Sequence, residues 1–175
     1  VAVHCVALSD HDIELLAKSG ASVVHCPVSN MRLGCGASPV VKLLKAGVNV
    51  ALGTDGAASA CSLSMFEQMR TAGLIAKGFS QDPTQLTVNQ IIRMATINGA
   101  NALKLDREVG SFAVGKFADL AVIDMSQLVT MPVLDVLSNV IYAVEAQCIH
   151  QVWASGCLVA NIQQEKLLRP DRGKL

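Results

Sequence analysis

Three short apolar segments constrain this chain more than any other feature in it. "VAVHC" (1–5), "SVVHC" (22–26) and "VNVAL" (48–52) are rich in β-branched residues and apolar nearly throughout, as strands covered on both faces are. Helix signals fill the gaps between them. Ser9, with Asp12 three positions on, predicts an N-cap; Ile13, Leu16 and Ala17 recur at helical spacing, and Gly20 offers a stop. Ser38 followed by Pro39 predicts a second helix start closed by Gly47, and Ser64 with Glu67 predicts a capping box for a helix running to Lys77. The stretch "PVSNMRLGCGAS" (27–38) reads as a polar, glycine-containing loop. Strand and helix alternating three times imply parallel strands with right-handed crossovers. Consecutive units of a (β/α)₈ barrel fit this spacing, and a doubly wound sheet fits it too.

Beyond the third unit, "LTVNQIIRMATINGANAL" (86–103) predicts one more helix, capped at Thr87 with Gln90 at the box position. The character changes near Asp106. Glycine turns lead to a strand over 119–124, and "CIHQVWASGCLVAN" predicts a β-hairpin turning at Ser155-Gly156. The segment after Ile162 reads as a surface tail. These signals divide the chain into residues 1–105 and 106–175.

Composition narrows the function. Fourteen basic and fourteen acidic residues cancel, so neither nucleic acid nor an anionic membrane is expected as partner. No apolar run approaches the ~18 residues a membrane-spanning helix requires. Six cysteines without a C-x-x-C pair argue against a zinc ribbon or a redox motif and suit reduced thiols in the cytoplasm. The chain opens on Val1 inside an apolar run, and the expectation is a C-terminal piece of a longer protein.

In parallel α/β folds, chemistry sits where strands end. His4 and His25 fall at the ends of the first two strands, and Asp55 lies just past the third, in "NVALGTDGAAS". Taken singly, each has an ordinary structural explanation: a hydrogen-bonded packing histidine, or an aspartate before glycine forming a turn. Together, on successive strand ends of a chain with four histidines, they point to a site. Imidazole and carboxylate suit Zn²⁺, which lowers the pKa of bound water toward ~7, and the spacing alone permits all three as ligands. His11 and His150 lack that setting. A nucleotide-binding reading of "GCG" (34–36) fails for want of a third glycine and a placed acid.

The ordered motifs "HCVALSD", "HCPVSN", "VALGTDGAAS", "ATINGANAL" and "GSFAVGKFADLAVID" resemble the amidohydrolase superfamily. The nearest branch is that of deaminases and chlorohydrolases, with methylthioadenosine/S-adenosylhomocysteine deaminases foremost. The resemblance implies the last three βα units of a (β/α)₈ barrel, followed by part of a small β-sandwich. It implies one zinc ion, with iron an alternative, and a small-molecule substrate: an adenosine-type nucleoside deaminated by water.

Asp55 matches the metal-binding aspartate of the eighth strand, which also receives the proton of the attacking water. His4 matches the sixth-strand histidine that contacts the substrate or that water and steadies the tetrahedral centre. His25, with Ser29 and Asn30, matches an "HxPxSN" segment that lines or shapes the substrate pocket. The family's His-x-His pair does not occur in this sequence, nor does a His followed by Glu at the third position. The chain alone is therefore expected to be inert. A guanine- or cytosine-type deaminase, a triazine chlorohydrolase, or a non-catalytic remnant serving as a structural module remain alternatives. Three parallel strands with open edges also imply pairing with other polypeptide or with copies of the chain, so a homo-oligomer is expected.

Overall fold

The computed structural model describes residues 1–161. It contains two sheets of three strands each, the first parallel and the second antiparallel. In the first, β1 (Ala2–Val3), β2 (Ser22–His25) and β3 (Asn49–Leu52) lie in chain order. The register pairs Val23 with Val50 and His25 with Leu52, while Ser22 meets Asn49 and Val24 meets Ala51. Side chains alternate faces along a strand, so the first two pairs share one face and the last two share the other.

Helices cover the face of Val23, Val50 and Leu52. Connecting β1 to β2 is α1 (Asp10–Ser19), whose start carries the full capping box of Ser9 and Asp12 and whose end is Gly20 in the left-handed conformation. Between β2 and β3 stand α2 (Pro27–Arg32) and α3 (Val40–Lys45). After β3 come the single turn α4 (Ala57–Ala60) and the long α5 (Met65–Ser80), then α6 (Val88–Ala95) and α7 (Ile97–Leu103). Ile13, Val40, Leu43, Met69, Ala72, Ile91 and Met94 close over the strand valines to form the core. One helix from the later part of the chain, α8 (Val136–Tyr142), adds Ile141 to the same cluster.

The outermost strand β3 is protected by a side chain from α7. Asn98 Nδ2 donates to the Val50 carbonyl at 2.8 Å, and Asn49 Nδ2 in turn donates to the Asn98 carbonyl at 3.0 Å, occupying groups that would otherwise template further pairing. On the β1 side, Val1 and Val3 are exposed.

The second sheet runs β4 (Leu120–Ile123), β5 (Ile149–Ala154), β6 (Cys157–Asn161) in antiparallel order. Ser155 and Gly156, at φ of 50° and 77°, make the two-residue hairpin turn whose twist matches the strands.

Four local expectations are corrected. The stretch 27–38 is not all loop: it begins with α2, with Pro27 in the first turn, where its missing N–H costs nothing. Ser38 does not cap α3; its Oγ donates to the Cys5 carbonyl at 3.1 Å, tying the exit of β1 to the entry of α3. Ser64 caps α5 by accepting from the Glu67 N–H, but its own N–H donates to Ser62 Oγ rather than to the Glu67 side chain, and the helix continues to Ser80. The helix expected over 86–103 is broken at Thr96, whose Oγ1 donates back to the Ile92 carbonyl while the next turn is pulled toward β3 by Asn98. The tail after Ile162 lies outside the described residues. No helix among the described residues is long and apolar enough to cross a membrane.

Candidate active site

The C-terminal ends of β1 and β3 deliver His4 and Asp55 to one place. His4 Nε2 lies 4.0 Å from Asp55 Oδ2, with the two side chains 41% and 31% exposed. Each stands where the chain has left its strand, in left-handed backbone: φ is 68° at His4, 49° at the following Cys5 and 59° at Asp55. Non-glycine residues adopt this region at a cost of roughly 1–3 kcal/mol, and such strain gathers at functional sites. The backbone at His4 is fixed by its N–H, which donates to the Val24 carbonyl at 2.9 Å.

The short helix α2 grips both residues from one side. Ser29 Oγ donates to Asp55 Oδ2 at 2.6 Å, and Asn30 Oδ1 lies 2.8 Å from His4 Nδ1. Both α2 residues are buried, at 0% and 1% exposure. Arg32, at the end of the same helix, donates through Nη1 to the carbonyls of Ala58 and Ser59 at 2.8 Å each, so α2 also holds the small-residue turn that follows Asp55. Beneath it, the Val28 N–H donates to Oε1 of the buried Gln68 on α5.

Asp55 is held ionised. The hydroxyl of Ser29 contributes most, followed by the Gly56 N–H donating to Oδ1 at 2.8 Å; together they lower its pKa below the usual carboxylate value. Burial raises the pKa of the neighbouring Cys26 thiol, and the Asp55 charge adds to the rise.

His25 has a different setting. It shares the helix-facing side of β2 with Val23, is 2% exposed, and lines a cavity of about 320 Å³ with Ser38, Pro39, Ala72, Ile75 and Phe79. Burial, with a smaller push from His4, drives its pKa down to about 4, so it is neutral at physiological pH. The structure thus brings His4 and Asp55 together and turns His25 to the other face of the sheet. The holders Ser29 and Asn30 were named in the sequence only as part of a motif, and Arg32 not at all. Pro27 at a helix N1 position, with a basic residue one turn on, was the available signal for α2.

The donor chemistry suits part of a divalent metal centre. One ionised carboxylate is held at its back by a hydroxyl and an amide, with an imidazole beside it. Among the described residues no three His, Cys, Asp or Glu side chains come together as a set able to hold an ion, so the remaining donors of a four-coordinate site are not supplied by these residues.

Comparison with known proteins gives a consistent set of relatives. The model of the amidohydrolase family matches residues 1–159. A 5-methylthioadenosine/S-adenosylhomocysteine deaminase from Moorella thermoacetica is 46% identical over 96% of this chain, which corresponds to 39% of that protein. A 5'-deoxyadenosine deaminase from Methanosarcina barkeri is 42% identical over the whole chain and 40% of its own length. Among solved structures, a zinc-bound adenosine deaminase from Xanthomonas campestris superposes with a TM-score of 0.87 at 44% identity, covering 90% of this chain and 36% of that one. The chain spans about two fifths of the length of the curated relatives it matches.

Proposed function

The chain belongs to the amidohydrolase family, and from that premise we propose that it is the C-terminal portion of a metal-dependent aminohydrolase that deaminates adenosine-type nucleosides by water. The observation that carries this reading is the meeting of Asp55 and His4 beyond two parallel strands, each fixed by a neighbouring residue of α2. Residues 1–105 form the last βα units of a (β/α)₈ barrel on this reading, and residues 106–175 a segment of a small β-sandwich. S-adenosylhomocysteine, methylthioadenosine and 5'-deoxyadenosine are the substrates suggested by the names of the relatives.

Asp55 would hold the metal, zinc in the first instance. When bound, that ion acts as a Lewis acid and lowers the pKa of a coordinated water toward neutrality. The chain's own residues do the rest of the local work. Ser29 and the Gly56 amide orient the Asp55 carboxylate and keep it ionised, as a ligand must be. Oδ2, the oxygen nearer His4, is placed to receive a proton from water and return it to the departing amine. His4 contacts the water or the substrate at the same mouth. His25, neutral and packed, shapes the second strand end from behind.

Other polypeptide completes the site and covers exposed apolar residues such as Phe112, Val114, Leu128 and Leu134, all more than 85% exposed. Further copies of the chain cover apolar surface in a homo-oligomer but do not complete the site, because the sequence carries no His-x-His pair. The six unpaired thiols favour the cytoplasm. A second reading, a non-catalytic module, is favoured by the lack of a three-ligand cluster among the described residues, and applies to the chain in isolation.

The test is a chimera in which this chain replaces the matching two fifths of the Moorella relative. Ammonia release is measured on the three adenosine-type substrates and on guanine. Turnover of the adenosine-type nucleosides is expected from the chimera and none from the chain alone; a folded, zinc-loaded chimera active only on guanine, or on nothing, refutes the assignment.

A further inference from the structure

We propose that Asn30 is a positioning residue that fixes the tautomer of His4, holding its proton on Nδ1 so that the Nε2 lone pair faces Asp55. The chemical consequence deepens the reading above and rests on it; the tautomer itself does not.

The geometry is specific. Asn30 Oδ1 stands 2.8 Å from His4 Nδ1, and an amide oxygen only accepts, so the shared proton belongs to the imidazole. The backbones of both partners are anchored. The backbone of Asn30 is locked in α2, its N–H donating to the Cys26 carbonyl at 3.0 Å and its carbonyl accepting from the Cys35 N–H at 2.8 Å. The backbone of His4 is locked to β2 by its N–H to the Val24 carbonyl. A neutral imidazole bears one proton. With that proton on Nδ1, the nitrogen 4.0 Å from Asp55 Oδ2 is an acceptor.

A second observation separates this arrangement from ordinary packing. Asn30 is 1% exposed, yet its Nδ2 has no hydrogen-bond partner among the described residues. Leaving a buried donor unmet is costly, whereas an apolar side chain of similar shape carries no such penalty. Half of the amide is thus unused by the fold, and the half that is used touches His4.

The consequence concerns the role of His4. A neutral Nε2–H form would donate a hydrogen bond into the mouth of the site. The Nδ1–H form instead accepts one there, from the O–H of water or of a substrate hydroxyl lying between His4 and Asp55. His4 then draws the water into line rather than donating a hydrogen bond to the tetrahedral centre.

The experiment is ¹⁵N NMR of the full chain labelled at histidine, at mildly alkaline pH. His4 is assigned by the loss of its signals in His4→Gln. The one- and two-bond couplings show directly which nitrogen bears hydrogen. The expected result is the Nδ1–H form for His4 in the parent protein and in Asn30→Asp, whose carboxylate also accepts. In Asn30→Leu the ratio of Nδ1–H to Nε2–H is expected to fall about tenfold, the worth of one net hydrogen bond. An Nε2–H tautomer in the parent protein overturns the proposal without any variant being made. So does an unchanged ratio in a folded Asn30→Leu. Inactivity of the chimera described above would remove the catalytic consequence and leave the tautomer assignment standing.

Discussion

Replacing Gly53 by alanine tests how closely β2 and β3 approach just below the site. Gly53 follows β3, its N–H donating to the His25 carbonyl at 2.9 Å, and it lies two residues before Asp55. A Cβ built there would meet Val24 Cγ1 at 2.6 Å and Cys26 Sγ at 3.2 Å. Carbon atoms in contact sit at about 3.5–4.0 Å, so the methyl group is about 1 Å too close. Val24 has little room to yield: its χ1 is stiff, and β2 is paired on both sides. Overpacking of this kind costs about 1–3 kcal/mol, offset by about 0.4–1 kcal/mol because alanine restricts the unfolded chain. The net expectation is a destabilisation of about 1–2 kcal/mol. Urea unfolding followed by circular dichroism reads this as a midpoint lowered by about 0.5–1 M at constant m-value. The cause is checked by repeating the substitution in Val24→Ala, where the space is open. There the cost should largely vanish, a coupling of about 1–2 kcal/mol between adjacent residues. Equal destabilisation in both backgrounds would refute the steric argument and place the effect in the backbone.

Two further outcomes follow from the same structure. His25 has its pKa driven from 6.5 to about 4 by burial, so between those values the unfolded state binds more protons than the folded one and stability must fall as pH falls. The loss approaches about 3 kcal/mol by pH 4; His25→Phe should flatten that part of the stability profile, and an unaltered slope would show that the residue is not responsible. Asp135 caps α8 through the Ser138 N–H at 2.7 Å; Asp135→Ala should cost about 0.5–2 kcal/mol by thermal unfolding, and a smaller change would mean that α8 is held by Ile141 in the core rather than by its cap.

The elements that were legible in the sequence are those where local chemistry and tertiary packing agree. Ser9, Asp12 and Gly20 bound α1 as their types require, and Thr87 with Gln90 forms the full capping box of α6. The three strands could be read because each is largely apolar, and the hairpin turn because Gly156 takes positive φ at no steric cost. Elsewhere a long-range partner overrode the local signal. Ser38 has the composition of a cap, but the Cys5 carbonyl claims its hydroxyl. The periodicity over 86–103 runs on without a break, yet Asn98 is drawn to the Val50 carbonyl across forty-eight residues and the helix splits. No element was expected over 125–146, although Asp135 stood before a run that forms α8.

The same division holds at the site. That His4 and Asp55 face one end of the sheet follows from the parallel direction of the strands, since each lies just past a C-terminal strand end, and they stand 4.0 Å apart. That His25 turns away follows from register, since it pairs with Leu52 on the helix-facing side. The grip of Ser29 and Asn30 was not legible, because it depends on α2, a helix of six residues with glycines close behind. Such a helix is too short for periodicity to show.

The central claim is that Asp55 serves a metal-dependent deaminase site. The most direct measurement compares the chimera with its Asp55→Asn form for zinc content and for ammonia release from S-adenosylhomocysteine. A ligand should matter more than an outer partner, so the asparagine form is expected to lose more than about a hundredfold in rate and to hold less than one zinc per chain while keeping its folded spectrum. Equal zinc and equal turnover in the two proteins would contradict the account.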